Sequence, residues 1–516
     1  MTGILNALIA GVSGAVKDTY FNLVSLLLPG NGTNGAQNNT FLDSSTNNFT
    51  ITRNGDTTQG TFSPFSQTGW GAYFDGSNDY VSMPDSSAFS LSSSNWTMEC
   101  WVYPLTSAVN RGIVGHANST VTVSSSSFLI YLTSTNQVVV ELYSGSSSYV
   151  ITTTTTVAYN QWSHIAVVRD GNTARVYING QQATGGTVSV TGISINDSAA
   201  QFALGRPGEY NSWYFLGNMS NFRLVNGTCL YPNGTQFTPS TTPLTTTSQG
   251  ATSSEVKLLT LQNNRFIDNA TTPNTLTANN GVAITPFSPF APTSSYSAAI
   301  VGGSGYFDGS GDYLSIADNA AFTMGTSDFT VEAWVYCTAT DFASSRYIIA
   351  QRNASADTSI SFAMNFVGGG ARKVRLLCFD SGGASYEAAC ATDVLNLNEW
   401  THIAGVRNGA TLRIYVNGVQ QGTANISTAS LVDSDGSVAI GRLGDANFYY
   451  WLGYISNVRI TKGGCLYPSG TQFTPPTAPL TTTVSAGTVS LLTNFTNAGV
   501  VDATAKNVLE TEGNAQ

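Results

Sequence analysis

Proton transfer in this chain falls to very few side chains. There are three histidines: His116, which has no counterpart in the second half of the chain, and His164 and His402, which share the phrase Trp-x-His-Ile-Ala. Two acids, Glu99 and Glu332, share the phrase Glu-x-Trp-Val-Tyr and stand alone in apolar runs. Hydrolysis of a glycosidic bond takes two carboxyl groups about 5–9 Å apart, one on each side of the bond. A strand would supply them through a pattern such as Glu-x-Asp-x-x-Glu, which does not occur. Neither a nucleophile elbow nor a zinc-ligand spacing is present. The two repeated histidines are therefore expected to be structural, and the chain is expected not to be an enzyme.

A second kind of chemistry is sugar stacking, which takes an exposed aromatic face beside polar groups. The stretch after Gly205-Arg206 carries Tyr210, Trp213 and Tyr214, and the stretch after Gly441-Arg442 carries Phe448, Tyr449, Tyr450 and Trp451. Phe215 and Trp451 directly precede Leu-Gly and are expected to face the core. Tyr210, Trp213, Phe448 and Tyr449 are the carbohydrate-binding candidates. The alternative is that they buttress the loop or a subunit contact. Trp101, Trp162, Trp334 and Trp400 lie in apolar strand phrases and are expected in the core.

The elements that must position these residues come in two copies. Tyr73-Phe74-Asp75-Gly76 recurs at Tyr306, shifted by 233, and Trp162-Ser163-His164-Ile165-Ala166 recurs at Trp400, shifted by 238. Val176-Tyr177-Ile178-Asn179-Gly180 and Cys229-Leu230-Tyr231-Pro232 recur at Ile414 and Cys465. Order is kept while the shift drifts, as loop insertions would cause, so a domain of about 230 residues is duplicated. Apolar residues alternate in short runs, and Asn179-Gly180 and Asn417-Gly418 supply the positive φ angles of tight hairpin turns. Around twelve strands per copy are expected, in two sheets packed face to face. A lead segment precedes each copy, at Val24 to Asp43 and at Val256 to Asp268. A third begins at Val489 and either closes the preceding domain or starts a further repeat. The Thr-rich stretches 239–247 and 475–483 are expected to be extended linkers.

The ordered set Phe-Asp-Gly-x-x-Asp-Tyr, Glu-x-Trp-Val-Tyr, Trp-x-His-Ile-Ala, Tyr-x-Asn-Gly, Gly-Arg and Leu-Gly-x-x-Ser-Asn-x-Arg resembles laminin G-like jelly rolls of the concanavalin A-like lectin/glucanase superfamily. It covers about 25–244 and 256–480. The resemblance implies an all-β chain of two tandem jelly-roll β-sandwiches, divided as 1–20 (a helical or extended docking segment), 21–247, 248–484 and 485–516 (tail or start of a third repeat). It also implies a possible calcium ion at the sandwich rim, a hard cation held by oxygen donors. In the second copy the matching loops hold Asn353, Asp357 and Asp445. Another rim set is Asp75, Asp79, Asp308 and Asp312, for which turn formation is the simpler role. Phrases such as Gly60-Thr61-Phe62-Ser63-Pro64-Phe65 resemble structural proteins of marine bacteriophages. This implies a virion fibre or surface appendage with host-surface glycan as ligand. A secreted or cell-surface bacterial lectin or adhesin is the alternative, and a glycoside hydrolase ranks third.

Composition narrows the partners. Of 516 residues only 10% are charged, against about 25% in typical domains, and the formal charge is −10. Nucleic acid and anionic membranes are disfavoured, because both require clustered Lys and Arg. The apolar start Leu5 to Val12 is too short to span a bilayer and lacks a basic flank, so it reads either as a frayed or packed terminal helix or as a peptide that docks the chain on other virion proteins. Six cysteines are too few for a disulfide framework, though Cys378 and Cys390 could face each other in a hairpin. A homo-oligomer is expected, with a trimer as the guess.

Overall fold

The computed structural model describes residues 52–54, 58–60, 69–285, 301–353, 356–445, 448–468, 470 and 472–495. The 1–20 docking segment, the whole of 24–43 in the first lead, and the second half of the third lead lie outside them; the described strands at 52–54 and 58–60 follow the first lead. Two strands come first: β1 (Thr52–Asn54) and β2 (Thr58–Gly60). The first unit contributes β3 (Gly71–Asp75), β4 (Tyr80–Met83), β5 (Asn95–Pro104), β6 (Arg111–His116), β7 (Phe128–Leu132), β8 (Gln137–Ser144), β9 (Ser147–Thr156), β10 (Ser163–Asp170), β11 (Thr173–Ile178), β12 (Gln181–Ser189), β13 (Phe202–Leu204) and β14 (Leu216–Gly227). The second lead and the stretch after it follow with β15 (Val256–Thr260), β16 (Thr277–Asn279) and β17 (Ala283–Thr285). The second unit repeats the series as β18 (Ser304–Asp308), β19 (Tyr313–Ile316), β20 (Phe329–Cys337), β21 (Arg346–Gln351), β22 (Phe362–Phe366), β23 (Val374–Phe379), β24 (Ser385–Ala389), β25 (Trp400–Asn408), β26 (Thr411–Val416), β27 (Val419–Asn425), β28 (Val438–Ile440) and β29 (Leu452–Lys462). The last strand is β30 (Thr488–Thr493).

Each unit is a sandwich of two antiparallel sheets. In the first, β12-β11-β10-β5-β14-β3-β17 faces β16-β4-β13-β6-β7-β8-β9, with β15 paired to β14. In the second, β27-β26-β25-β20-β29-β18-β2 faces β24-β23-β22-β21-β28-β19-β1, with β30 paired to β29. The twelve strands anticipated per copy are β3–β14 and β18–β29, and three more come from the lead segments and the stretches after them. Among the described residues no helix is long and apolar enough to cross a membrane.

Alternation explains the core. On β5, Met98, Cys100 and Val102 point inward and meet Ile130 and Val140 of the facing sheet, with Phe222 of neighbouring β14 in the same cluster. In the second unit Val331, Ala333 and Val335 meet Met364, Leu376 and Val458. Phe215 and Trp451 are fully buried, as anticipated. The Asn-Gly turns also form as read. Asn179 and Gly180 have φ of 50° and 79°, and Asn417 and Gly418 have 50° and 80°. Each asparagine is locked by its Oδ1, which accepts the backbone N–H of His164 or His402.

Four expectations change. Trp101, Trp334 and Trp400 are buried as expected, but on the sheet face opposite to that of Cys100 and Ala333. Trp101 is buried on the outer face with Val225, Leu244 and Val256, while Trp162 is half-buried there. Trp334 and Trp400 are buried against residues of the first unit's cluster, with Trp400 N–H donating to the Asn264 carbonyl (3.0 Å). The Thr-rich stretches are straps, not free linkers. Leu244 N–H bonds Asn221 Oδ1 (2.8 Å) and Leu480 N–H bonds Asn457 Oδ1 (2.7 Å), holding the chain across the outer face. The second lead and the stretch that follows it, assigned by sequence to the 248–484 domain, put β15, β16 and β17 into the sheets of the first unit. The third lead likewise supplies β30 to the second unit. Finally, Cys378 and Cys390 are both free thiols, because β24 places Tyr386, not Cys390, opposite Cys378.

Candidate functional site

Glu99 and Glu332 are not alone. The phrase Leu-Gly-x-x-Ser-Asn-x-Arg contains a β-bulge. Ser220 lies opposite Trp101 and Arg223 opposite Glu99, so three steps on β14 match two on β5. Asn221 takes the left-handed backbone of the bulge at φ 52°. The extra residue brings Arg223 onto Glu99, with Nε and Nη2 both bonding Oε1 at 2.9 and 2.6 Å. His164 Nε2 (3.0 Å) and the Tyr231 hydroxyl (2.8 Å) bond Oε2. The second unit repeats the set: Arg459 at 2.9 and 2.6 Å, His402 at 3.1 Å and Tyr467 at 2.8 Å around Glu332.

The segments leading into the straps seal both clusters. Tyr231 stacks on Phe237 at 3.6 Å, and Tyr467 on Phe473 at 3.8 Å. Burial alone would raise the pKa of Glu99, but the bonds from His164, Arg223 and Tyr231 outweigh it and hold the group at about 2. Glu332 is held at about 2 by the same balance. A carboxylate that is fully buried and saturated with donors has no face left for a substrate. These are structural clamps, in keeping with the structural role read for His164 and His402.

His116 does have a positional counterpart, and it is Gln351. His116 Nε2 faces the Ala200 carbonyl (3.1 Å) and Asp85 (3.3 Å). Gln351 Nε2 donates to Asp318 (3.0 Å), the Ser434 carbonyl (3.1 Å) and the Gly436 carbonyl (3.4 Å). In both units one N–H donor gathers a carboxylate and loop carbonyls, so either residue type serves. Burial pulls the His116 pKa below its ordinary 6.5, although Asp85 opposes this. A lowered histidine pKa adds stability that is present above about pH 6.5 and lost as pH falls toward the folded value. His116→Gln is therefore expected to keep the bonds and reduce the drop in melting temperature between pH 7 and pH 5. An equal drop in both proteins would refute this.

The aromatic loops are built by the Gly-Arg step. The Arg206 guanidinium lies 3.6 Å from the Tyr80 ring centre and Arg442 lies 3.4 Å from that of Tyr313. Each Arg Nε donates to the carbonyl two residues on, at Gly208 or Gly444. In the first unit the loop packs on Gly112 and Gly115, where a Cβ would strike Pro207 and Gly208. Trp213 and Tyr449 then occupy equivalent places with φ of 58° and 67°. Their carbonyls accept N–H bonds from Gly112 and Tyr347, which sit at the bulges of β6 and β21. Trp213 lies 4.8 Å from Tyr131, with Tyr210 edge-on to it at 5.3 Å. Tyr449 stacks on Tyr347 at 5.9 Å, with Phe448 edge-on at 4.6 Å.

Exposure separates the copies. Phe448 is 45% and Tyr449 38% exposed, while Tyr210 and Trp213 are half-buried. The polar neighbours differ too, with an acid in the first unit and Arg375 beside Tyr347 in the second. Glu141 accepts the Tyr131 hydroxyl (2.9 Å) and the Tyr143 hydroxyl (2.6 Å) beside the Trp213 cluster.

The calcium candidates gather around Arg352. Asp357 pairs with its Nη2 (3.2 Å), and Asp445 N–H bonds its carbonyl (3.0 Å). Asn353 Nδ2 donates to Asp435 (2.6 Å), and both Asp445 oxygens accept from Ser437. Of the three, Asp357 alone contacts the guanidinium. Among the described residues no group of three or more His, Cys, Asp or Glu stands ready to hold a metal. The other rim set makes turns. Asp75 Oδ1 accepts Ser77 N–H (2.8 Å), Asp308 Oδ1 accepts Ser310 N–H (2.7 Å), and Asp79 and Asp312 accept the N–H of Asp75 and Asp308. Asp79 has a further role that sequence reading missed. Its Oδ1 accepts Gly281 N–H (2.7 Å) at the turn between β16 and β17.

Comparison with known proteins agrees with this architecture. A profile of the concanavalin A-like lectin/glucanases superfamily, of the laminin G type, matches residues 75–231 and 308–464. The chain belongs to this superfamily. Each match lies within one sandwich, running from the Asp-Gly turn to Tyr231 in the first and to Gly464 in the second. Similar solved structures include domains LG4–5 of the mouse laminin α1 chain, at 12% identity and TM-score 0.26, covering 77% of this chain and 90% of that one. A heptameric SAP-like pentraxin from Limulus polyphemus is 16% identical with TM-score 0.27, over 42% of this chain and 95% of that one. A putative carbohydrate binding protein from Bacteroides ovatus is 17% identical with TM-score 0.30, over 42% of this chain and 60% of that one. No curated protein matches the chain.

Proposed function

We propose that each unit is a non-catalytic lectin-like module that binds carbohydrate on the aromatic loop after its Gly-Arg step. One observation carries the reading. Both copies hold a bulky aromatic residue, Trp213 or Tyr449, in a left-handed backbone that costs about 1–3 kcal/mol, with its ring braced by a sheet tyrosine. Strain kept at the same place in two diverged copies presents a ring in a set direction, as stacking on a sugar face requires. The buried, saturated state of Glu99 and Glu332 supports binding without hydrolysis.

The test is a glycan array probed with the full chain and two double variants, Tyr210→Ala/Trp213→Ala and Phe448→Ala/Tyr449→Ala. Each pair is expected to lose a distinct part of the signal, because Glu141 flanks the first loop while Arg375 stands beside Tyr347 at the second. Retention of the whole signal in both folded variants would overturn the reading.

The setting we propose for these modules is a bacteriophage particle. The chain would be a homo-oligomeric fibre or surface appendage, a trimer by expectation, anchored by residues 1–20 and binding host-surface glycan. Support comes from the phage-like phrases and the tandem modules. Deleting residues 1–20 is expected to abolish incorporation into particles. Normal incorporation would refute the anchor, and detection of the chain on a bacterial surface instead would favour an adhesin.

A further inference from the structure

The two sandwiches exchange two-strand elements, whose strands join opposite sheets and not each other. β16–β17, just after the second lead, closes both sheets of the first unit: β16 pairs with β4 and β17 with β3. β1–β2, ahead of the first unit, closes both sheets of the second: β1 pairs with β19 and β2 with β18. Donors and acceptors correspond by repeat position. Each element lays one strand on each sheet, so it covers two edges at once. Left open, those edges would present unpaired N–H and C=O groups ready to take another strand.

The donors follow an order that is broken at one place. The second lead and the stretch after it deliver strand β15 and element β16–β17, both to the unit that precedes them. The third lead delivers β30 to the second unit in the same manner. By that order the two-strand seat beside β18 and β19 belongs to an element following the second unit. It is filled instead by the element that follows the first lead. Conversely, the order assigns β1–β2 to a unit ahead of the first.

We infer that the seat formed by β18 and β19 takes the β1–β2 element of a second copy of this chain. The partner is thus identical protein, bound by strand addition to two edges. The seat makes three backbone register pairs with each donor strand, and none of them depends on which chain supplies the donor. Exchange of an identical element is a low-cost route to assembly, because the contacts within each sandwich are unchanged. Joined head to tail, each copy gives its β1–β2 element to the second unit of the next. Two copies giving in both directions close a dimer, and giving in one direction builds a ring or filament. The inference does not depend on sugar binding.

The test uses the full chain with Thr52→Cys and Ser315→Cys, positions that face each other in the β1–β19 register. Chains carrying only one substitution are mixed at high concentration, unfolded and refolded together, then linked with a short bis-maleimide and sized on a denaturing gel. Of the native thiols, five are buried and Cys229 is half-buried, so the unsubstituted chain serves as the background. The expected result is a covalent dimer from the mixture, absent from either variant alone, with the double variant forming a ladder. A mixture that stays monomeric while the double variant links only within itself overturns the inference. Absence of any link, with Thr58→Cys/Tyr306→Cys equally silent and both proteins folded by circular dichroism, overturns it too, because β1–β2 would then not occupy the seat.

Discussion

Arg223→Met will cost about 3–5 kcal/mol of unfolding free energy, the largest single-residue loss expected in this protein. The reason is what remains behind. Glu99 is 2% exposed and Arg223 fully buried, and without the guanidinium the carboxylate keeps only His164 and Tyr231. Arg223→Lys should fall between, because an ammonium keeps the charge but not the two bonds from Nε and Nη2. Arg459→Met tests the same clamp on Glu332. Urea unfolding followed by tryptophan fluorescence reads the loss. A change under about 1 kcal/mol, the range of exposed ion pairs, would show that the clamp does not hold the strap.

The same clusters set the acid limit. Both glutamates sit at about 2 in the folded protein, below the ordinary 4.5. A depressed carboxyl pKa contributes stability that is complete above about pH 4.5 and lost as pH falls through the folded value. Stability should therefore decline between about pH 4.5 and 2, and Glu99→Gln should flatten that part of the curve while lowering stability at neutral pH.

The second large effect is expected from glycine in the Asn-Gly turns. Gly180 has φ of 79° and Gly418 of 80°, and a Cβ at either would collide with the carbonyl oxygen of Phe237 or Phe473. Those carbonyls belong to the segments leading into the straps. Phe237 N–H and Phe473 N–H bond back to the glycine carbonyls at 3.0 Å. Gly418→Ala pays for the left-handed backbone, about 1–2 kcal/mol, and must also push the strap off the sheet. Gly409→Ala is the control, with φ of 55° and open space around the new methyl. Limited proteolysis should cut segment 465–484 faster in Gly418→Ala and leave Gly409→Ala unchanged. Equal resistance in both would mean that the strap absorbs the methyl by a small shift. Because the segment leading into the strap carries Tyr467 over Glu332, Gly418→Ala and Arg459→Met should combine non-additively.

Several features were readable before any coordinates. The turn at Asn179-Gly180 depends on two neighbouring residues that tolerate positive φ, and the inward set Met98, Cys100 and Val102 depends on strand parity. Local chemistry decides both. The Glu99 clamp was half-visible: Glu, His, Tyr and Arg recur in both copies, but a strand read alone gives no partner for Glu99. Arg223 lies 124 positions away and reaches it only through the bulge at Ser220-Asn221. Parity also misled, since an apolar run such as Glu99 to Tyr103 suggested an interior for Trp101, whose outer face is buried by a strap. The strand exchange left a trace in Asn280-Gly281 and in the repeated Phe-Ser-Pro-Phe at 62–65 and 287–290, but nothing in those letters says which sheet edges the strands meet.

From its letters alone this chain is a duplicated all-β sandwich with tight Asn-Gly turns and an aromatic loop after each Gly-Arg, because period-two alternation and turn residues act over a few neighbours. Only the three-dimensional arrangement decided which acids are buried clamps, which Thr-rich stretches are straps, and which unit each two-strand element closes. Those outcomes depend on contacts between residues far apart in the chain. The clamps and straps rest on side-chain bonds across those distances, and the strand additions on backbone hydrogen bonds that do not distinguish one strand edge from another.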